Sequence, residues 1–300
     1  MKKIIATGLI CVLALSAAGC GERKNETGLN KAPVSTESTA SASSDLYEDL
    51  KEGKGTIKYR GTGDRGSYID TSSILEVGKA YTIDEIIEAC KTIDVYNEDD
   101  NPNITYKEID CGQDGVPELL VEIEFGASSK LAMIVKEIDH ELVMCFDQDG
   151  GARYYVDVKD NGVIESGGAG AANVHDLDYA FVDGNGDYHF YYGVSETMAP
   201  FNDFYAYTHG EDYSLIPIEG LDVDHLGIRD YYFEADFKDR NHLFTCFTVD
   251  DNYKEVPADT DSEDTRTLKQ RFSEAGIETC TADEIEKKLG DRAKEIGYPG

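Results

Sequence analysis

Asp110, Gly112, Asp114, Val116 and Glu118 stand at alternate positions of the stretch DCGQDGVPELL. Oxygens at that spacing are what a calcium loop uses, since the ion needs several of them converging at about 2.4 Å, from side chains at alternate positions and one carbonyl. Asp110 takes position 1, Asp114 position 5, the Val116 carbonyl position 7 and Glu118 position 9, with Gly115 at the sharp turn. Two features oppose this reading. Gly112, at position 3, brings no side-chain oxygen, and Val121 stands where an EF-hand has its bidentate Glu. The flanks are strand formers, which excludes an EF-hand. The alternative is an Asx turn holding two strands in register. The turn is preferred, with calcium as the second reading.

Two weaker copies of the spacing exist. Asp183, Asn185 and Asp187 in DGNGDYH would supply positions 1, 3 and 5, but Tyr188 replaces the turn glycine. Asp157, Asn161 and Glu165 repeat it in DVKDNGVIE, where Lys159 would oppose a cation and Asn161-Gly162 instead predicts a hairpin. Known catalytic spacings are missing: no G-x-S-x-G, no H-E-x-x-H and no P-loop occurs. The six histidines are scattered. The glycine-rich SGGAGAAN has no adjacent Lys or Arg to help it hold an anion and is read as a tight, crowded bend. With 60 acidic residues, a glycosidase-type carboxylate pair is an open alternative, but nothing in the sequence selects one. Tyr is abundant and Trp absent. The runs YHFYY and DYYF place Tyr on both faces of strands, for packing or, where exposed, for protein or sugar binding.

The chain begins with a basic Met1-Lys2-Lys3, an apolar run from Ile4 to Leu15 too short to span a bilayer, and then small residues before Cys20. That is the form of a secretory signal peptide over residues 1–19. The ending Ala17-Ala18-Gly19-Cys20 resembles the lipobox of bacterial lipoproteins, with Ala17 where Leu is commonest. The resemblance implies cleavage before Cys20, diacylglycerol on its sulfur and acylation (such as palmitate) of the new amine, which would anchor the chain stably at the outer face of the cell membrane, or of the outer membrane in a diderm host. Residues 20–45, with STESTASASS, bury too little apolar surface to order and are expected to be a flexible tether.

Residues 46–300 are then expected to form a single β-rich domain. The formal charge of the chain is −32, and removing residues 1–19 takes away two lysines and no acid. So acidic a chain is expected to repel nucleic acid and anionic headgroups; its charge is read first as serving solubility through mutual repulsion, and second as attracting cations or basic partners. Cys90, Cys111, Cys145, Cys246 and Cys280 show neither zinc spacing nor a CxxC, and their disulfide state stays open. Cys145 and Cys246 lie in strand-like runs and read as small buried hydrophobes.

The elements that would position these residues follow from periodicity. Thr82 and Glu85 form a capping box that opens a helix over about 82–93, with Ile83, Ile86, Ile87 and Cys90 on one face. From Ile104 the period becomes two. Leu119, Val121, Ile123 and Phe125 share one face against Glu118, Glu122 and Glu124, a half-buried strand. A tight turn at Asp139-His140 joins two more strands, and RYYVDV, VIES, DYAFV and DYHFYY continue the series. IRDYYFEADF alternates with Tyr231, Phe233, Ala235 and Phe237 on one side and is expected to pair with HLFTCFTV across KDRN. C-terminal helices over about 265–296 include a second capping box, Thr281 and Glu284. The fold class is α+β, mostly an antiparallel β-meander.

The stretch YKEIDCGQDGVPELLV resembles the D-x-D-x-D-G-x-x-E-L loop of the FG-GAP and VCBS type, which recurs in surface lipoproteins of anaerobic Gram-positive bacteria, and ESGGAGA after VKDNGVI matches the order of elements there. The likeness covers about residues 104–192 and implies a β-rich surface lipoprotein with optional structural calcium at Asp110, Asp114 and Glu118. The functional expectation is a membrane-anchored, non-enzymatic binding domain for a cell-envelope or extracellular partner. The alternative is a surface hydrolase of glycan or peptide.

Overall fold

The computed structural model describes residues 45–61, 71–93, 101–126 and 129–300. The expected signal peptide and Cys20 lie outside the described residues, as does the expected tether except for Asp45, which opens the first helix. The chain divides into two units, 1–40 and 41–300, and every described residue belongs to the second.

Strands β1 (Ile57–Tyr59), β2 (Ala80–Tyr81), β3 (Asn103–Ile109), β4 (Glu118–Phe125), β5 (Ser129–Ile138) and β6 (Glu141–Gly151) form a first sheet in the order β2-β1-β6-β5-β4-β3. All its neighbours are antiparallel except β1 and β6, which run parallel. Strands β7 (Tyr154–Val158), β8 (Val163–Ala171), β9 (Val174–Val182), β10 (Tyr188–Met198), β13 (Leu226–Tyr232) and β14 (Leu243–Thr248) form a second, wholly antiparallel sheet in the order β14-β13-β10-β9-β8-β7. Strands β11 (Phe204–His209) and β12 (Asp212–Ile216) make a separate hairpin between β10 and β13. The helices are α1 (Asp45–Lys51), α2 (Thr71–Ile74), α3 (Ile83–Cys90), α4 (Glu263–Glu274) and α5 (Ala282–Ile296). The α+β, mostly antiparallel architecture is the expected one.

Three apolar clusters hold the elements. One face of the first sheet (Leu119, Val121, Ile123, Leu131, Met133) packs on α1 and α3 through Leu50, Ile86 and Ile87. The α3 capping box forms as its sequence requires, although the helix stops at Cys90 rather than Ile93. The other face contributes Leu120, Ala132, Ile134 and Phe146 to a core shared with Val156, Val158, Ile164, Ala180 and Val182 of the second sheet. Strand β4 is therefore covered on both faces at its start. The expected half-buried pattern fails at Glu118 and Leu120, because the second sheet occupies the side that the acids seemed to reserve for water. The third cluster joins the hairpin, β13, β14 and α4 through Ala206, Ile228, Phe244 and Phe272.

Two further expectations are corrected. SGGAGAAN is no bend: residues 163–171 are strand β8, between β7 and β9. Its glycines give the neighbouring backbones room, since a Cβ on Gly168 would stand 2.0 Å from the Arg153 carbonyl oxygen. Strand β13 ends at Tyr232, and residues 233–242 form a connection with a short 3-10 turn at Phe237–Asp239. The inward face of β13 is then Ile228, Asp230 and Tyr232 rather than the Tyr231 series. The Asp139-His140 turn is as expected, both residues having positive φ, as a tight two-residue hairpin turn requires.

Candidate functional site

The calcium candidate folds as a turn tied into the core. Asp110 Oδ1 accepts the N–H groups of Asp114 (3.0 Å) and Gly115 (3.2 Å), and Asp114 Oδ1 accepts that of Val116 (2.8 Å). Val116 itself is exposed. Glu118 turns inward. It is fully buried, one carboxylate oxygen bound to the Lys136 ammonium and the other accepting the Cys111 N–H at 2.7 Å. An ammonium thus holds the carboxylate that a calcium ion would need. Gly112 has its own cause. A Cβ there would come within 2.5 Å of the Gly184 backbone nitrogen, so the loop that lacks its position-3 ligand is also packed against the second candidate loop. In that loop Asp183 Oδ1 accepts the N–H groups of Asn185 and Asp187, both at 2.9 Å, and Asp187 pairs with Arg60 at 3.0 Å. Burial would raise the Asp183 carboxyl, but the Asp187 N–H and the His189 and Asn185 bonds outweigh it and hold the carboxyl below the usual range. Glu118, with both oxygens engaged by Lys136 and the Cys111 N–H, is thus turned away from the ligand set that Asp110 and Asp114 would need. Among the described residues no group of three or more His, Cys, Asp or Glu gathers as a metal set. The third copy is the β7–β8 hairpin, with Lys159 on Asp157. The cysteines at 90, 111, 145, 246 and 280 are free thiols, and all but Cys280 are buried.

Chemistry gathers elsewhere. Along β9 the residues of one face are Val182, Ala180, Asp178 and Asp176. The first two lie in the core between the sheets, and the next two lie beyond it. The pairing register carries this change across the sheet. Asp178 lies opposite Gly193 on β10, which lies opposite Tyr232 on β13, while Asp176 lies opposite Ser195, which lies opposite Asp230. A face that begins as apolar core continues as a floor of three carboxylates. Tyr154 of β7 borders it on one side, and Phe204, Tyr205 and Tyr207 of the hairpin border it on another. Phe237, Arg240 and His242 come from the connection after β13. These residues line a cavity of about 400 Å³, within the range of small-molecule sites.

Its small floor residues make it concave. A Cβ on Gly193 would lie 2.1 Å from the Tyr232 ring and 2.3 Å from Asp178 Oδ1, so only glycine lets that tyrosine lie over the strand. The Tyr232 hydroxyl donates to Asp178 at 2.8 Å. His242, with a side chain only 3 % exposed, sets Nδ1 2.8 Å from Asp230 Oδ2, and its Nε2 is buried with no hydrogen-bond partner among the described residues. The Arg240 guanidinium lies 3.8 Å above the centre of the Tyr232 ring and donates to the carbonyls of Glu234 and Ala235. Burial pushes the Asp178 carboxyl above the usual carboxylate range despite the Tyr232 bond, and it does the same to Asp230 despite His242. Buried carboxyls displaced upward in a cleft are a mark of functional sites.

Of these residues the sequence pointed only to the aromatic run DYYF, with Asp230 and Tyr232, and not to the carboxylates of β9. In VHDLDYAFV the acids alternate with Leu177, Tyr179 and Phe181, so Asp176 and Asp178 look like the wet side of a strand. Both faces are in fact covered, because Phe181 on the opposite face packs against Tyr298 beyond α5. The available signal was Gly193 within an aromatic strand, since an isolated glycine there often marks a close approach.

No protein-family model, curated protein or solved structure matches this chain. Among the described residues no helix is long and apolar enough to cross a membrane.

Proposed function

We propose that this chain is an exported lipoprotein, anchored through Cys20, whose β-rich domain is a binding module rather than an enzyme. Its ligand site is the cavity floored by Asp176, Asp178 and Asp230. The observation that carries the reading is the interruption of a core face by three carboxylates at a concave, aromatic-walled place. Buried charge costs stability unless it is compensated, and such a cost persists where it serves binding. The anchor rests on the signal sequence and on Ala-Ala-Gly-Cys ahead of a Ser/Thr-rich tether.

Two experiments test the two halves. For the anchor, the full chain is expressed in a bacterial host with an alkyne fatty acid. Cys20→Ala is expected to lose both the label and the membrane fraction; label retained by the variant would rule out the anchor. For the cavity, fractions of a cell-envelope extract are added while unfolding temperature is followed. At least one fraction is expected to raise that of the wild-type chain by several degrees and that of Asp176→Asn by less. If every fraction acts equally on both, the cavity is not the site.

The hydrolase reading has one observation in its favour, the upward displacement of Asp178 and Asp230 by burial, since a general acid needs a carboxyl that holds its proton above the usual carboxylate range. Turnover of a chromogenic glycoside or peptide panel, lost in both Asp178→Asn and Asp230→Asn, would establish it in place of the binding reading.

A further inference from the structure

We infer that the cavity takes a neutral oligosaccharide, with one sugar ring inside it and the next along the aromatic face of the β11–β12 hairpin. This rests on the cavity being the binding site and adds the class of its ligand.

The first observation lies behind the carboxylates. Gln148 follows Phe146 by two residues on β6 and so points with it into the space between the two sheets. Across that space Ser166 and Asp178 are partners on β8 and β9, next to the apolar pair Ile164 and Ala180 on the same face. Gln148, Ser166 and Asp178 line a recess of about 20 Å³, room for one water-sized group, which shares Asp178 and Arg240 with the cavity. Gln148 is only 4 % exposed. Its amide stands beside the Tyr154 hydroxyl, which itself donates to Ser166 at 3.5 Å, and it meets no other hydrogen-bond partner among the described residues. An amide has two N–H donors and a carbonyl, so most of this one is unused in a place where polar groups are almost always matched.

The second observation is the wall. Tyr205 and Tyr207 lie opposite Leu215 and Tyr213, so all four share the outer face of the hairpin. Ring centres run from Tyr205 to Tyr213 (5.2 Å), on to Tyr207 (5.8 Å) and on to Phe237 (5.5 Å). The strip begins at the cavity, which Tyr205, Tyr207 and Phe237 line, and leads out to the exposed Tyr213. The hydroxyls of its three tyrosines have no hydrogen-bond partner among the described residues. Such rings offer an apolar face with a polar tip, which the C–H face and hydroxyl rim of a sugar match.

The mixture of polar groups selects the ligand. An anion would meet Asp176, Asp178 and Asp230, and a cation has no use for the N–H groups of Gln148. A hydroxyl donates to a carboxylate and accepts from an N–H, so a polyhydroxyl compound uses both kinds. The floor strands β9, β10 and β13 are interior strands of their sheet, so an extended peptide finds no free backbone ladder there to join.

The test is calorimetric titration of the full chain with the neutral trisaccharides maltotriose, cellotriose, mannotriose and triacetylchitotriose. Trigalacturonate and the peptide Gly-Arg-Gly are the charged counter-probes. At least one neutral trisaccharide is expected to bind at a single saturable site. Its affinity is expected to fall by about tenfold or more in Tyr205→Ala and in Gln148→Leu, and to be unchanged in Glu286→Gln on the exposed face of α5. Tyr205 is 52 % exposed, so Tyr205→Ala carries the test if Gln148→Leu fails to fold. Absence of binding by every neutral sugar overturns the inference, and so does equal affinity in wild type and Tyr205→Ala. Peptide or trigalacturonate binding that Tyr205→Ala abolishes, with no neutral sugar bound, would overturn the sugar class and leave the cavity as the binding site.

Discussion

Gly193 lies directly beneath Tyr232, and the side chain it lacks is the space that the tyrosine ring and Asp178 occupy. The Tyr232–Asp178 bond depends on that space.

Gly193→Ala is therefore expected to act at two levels. A methyl group 2.1 Å from the ring forces the strand or the tyrosine to move. Overpacking of this kind costs about 1–3 kcal/mol. For a domain of this size that is a fall of roughly 2–4 °C in unfolding temperature per kcal/mol. Calorimetry reads the fall, and ligand titration is expected to show a loss of affinity larger than the stability change implies. An alanine variant as stable as the wild type would mean that Tyr232 does not rest where it is placed here.

The dependence of stability on pH has a definite sign. Asp178 and Asp230 have folded-state pKa values raised by burial above those of the unfolded chain. Between the unfolded and the folded pKa the native state holds more protons, so stability falls as pH rises through that window. Urea unfolding from pH 4 to pH 7 is expected to show this decline, and Asp178→Asn to flatten it. Asp178→Asn should thus be more stable than wild type at pH 7 while losing ligand affinity, the trade expected where a site is kept at a cost to the fold. Equal slopes in variant and wild type would show that Asp178 ionises as freely as in the unfolded chain.

Glu118 and Lys136 are a buried pair, and removing one partner strands the other. Glu118→Gln leaves the Lys136 ammonium uncompensated, for which about 3–5 kcal/mol is the usual loss. Replacing both, as Glu118→Leu with Lys136→Met, is expected to recover most of it. Chemical denaturation of the two single variants and the double variant measures the coupling. Additive losses would indicate that the two charges do not interact.

Because Lys136 holds Glu118 and backbone N–H groups hold Asp110, calcium up to about ten millimolar is expected to leave the unfolding temperature where EDTA and magnesium leave it. Binding at 100 times the dissociation constant would add roughly 2.7 kcal/mol, an effect easily seen. A calcium-specific rise that Asp114→Ala removes would require the loop to open and Glu118 to exchange its cation.

What was legible in the sequence was what neighbours decide. Thr82 with Glu85, Thr281 with Glu284 and the Asp139-His140 turn are local hydrogen-bond arrangements, and all three form. The succession of hairpins followed from short polar loops between alternating runs. The hairpin β11–β12 and the helix α1 were missed. What stayed hidden depends on distant pairing. An extra residue, Cys145 in β6 and Tyr191 in β10, interrupts two registers and changes which side chains share a face. Alternation in β9 and β13 identified two faces correctly but not which of them the rest of the chain would cover. Asp176 and Asp178 were therefore passed over and Asp230 fell on the side opposite the Tyr231 series, and the search for chemistry settled on Asp110 and Asp183, whose spacing resembled a site.

The order of the strands has a consequence for how the domain is made. Every strand of the first sheet precedes Ala152 and every strand of the second follows Arg153, yet Leu120, Ile134 and Phe146 have their partners in the later half. A chain emerging from its N-terminus can close the first sheet, β1 against β6 included, while that apolar face still has nothing to cover it. Until Val182 and Ile164 arrive the half-made protein presents a sticky surface, the kind through which nascent chains associate wrongly. The seam at Ala152-Arg153 is thus the point in synthesis at which this protein most needs either speed or a chaperone.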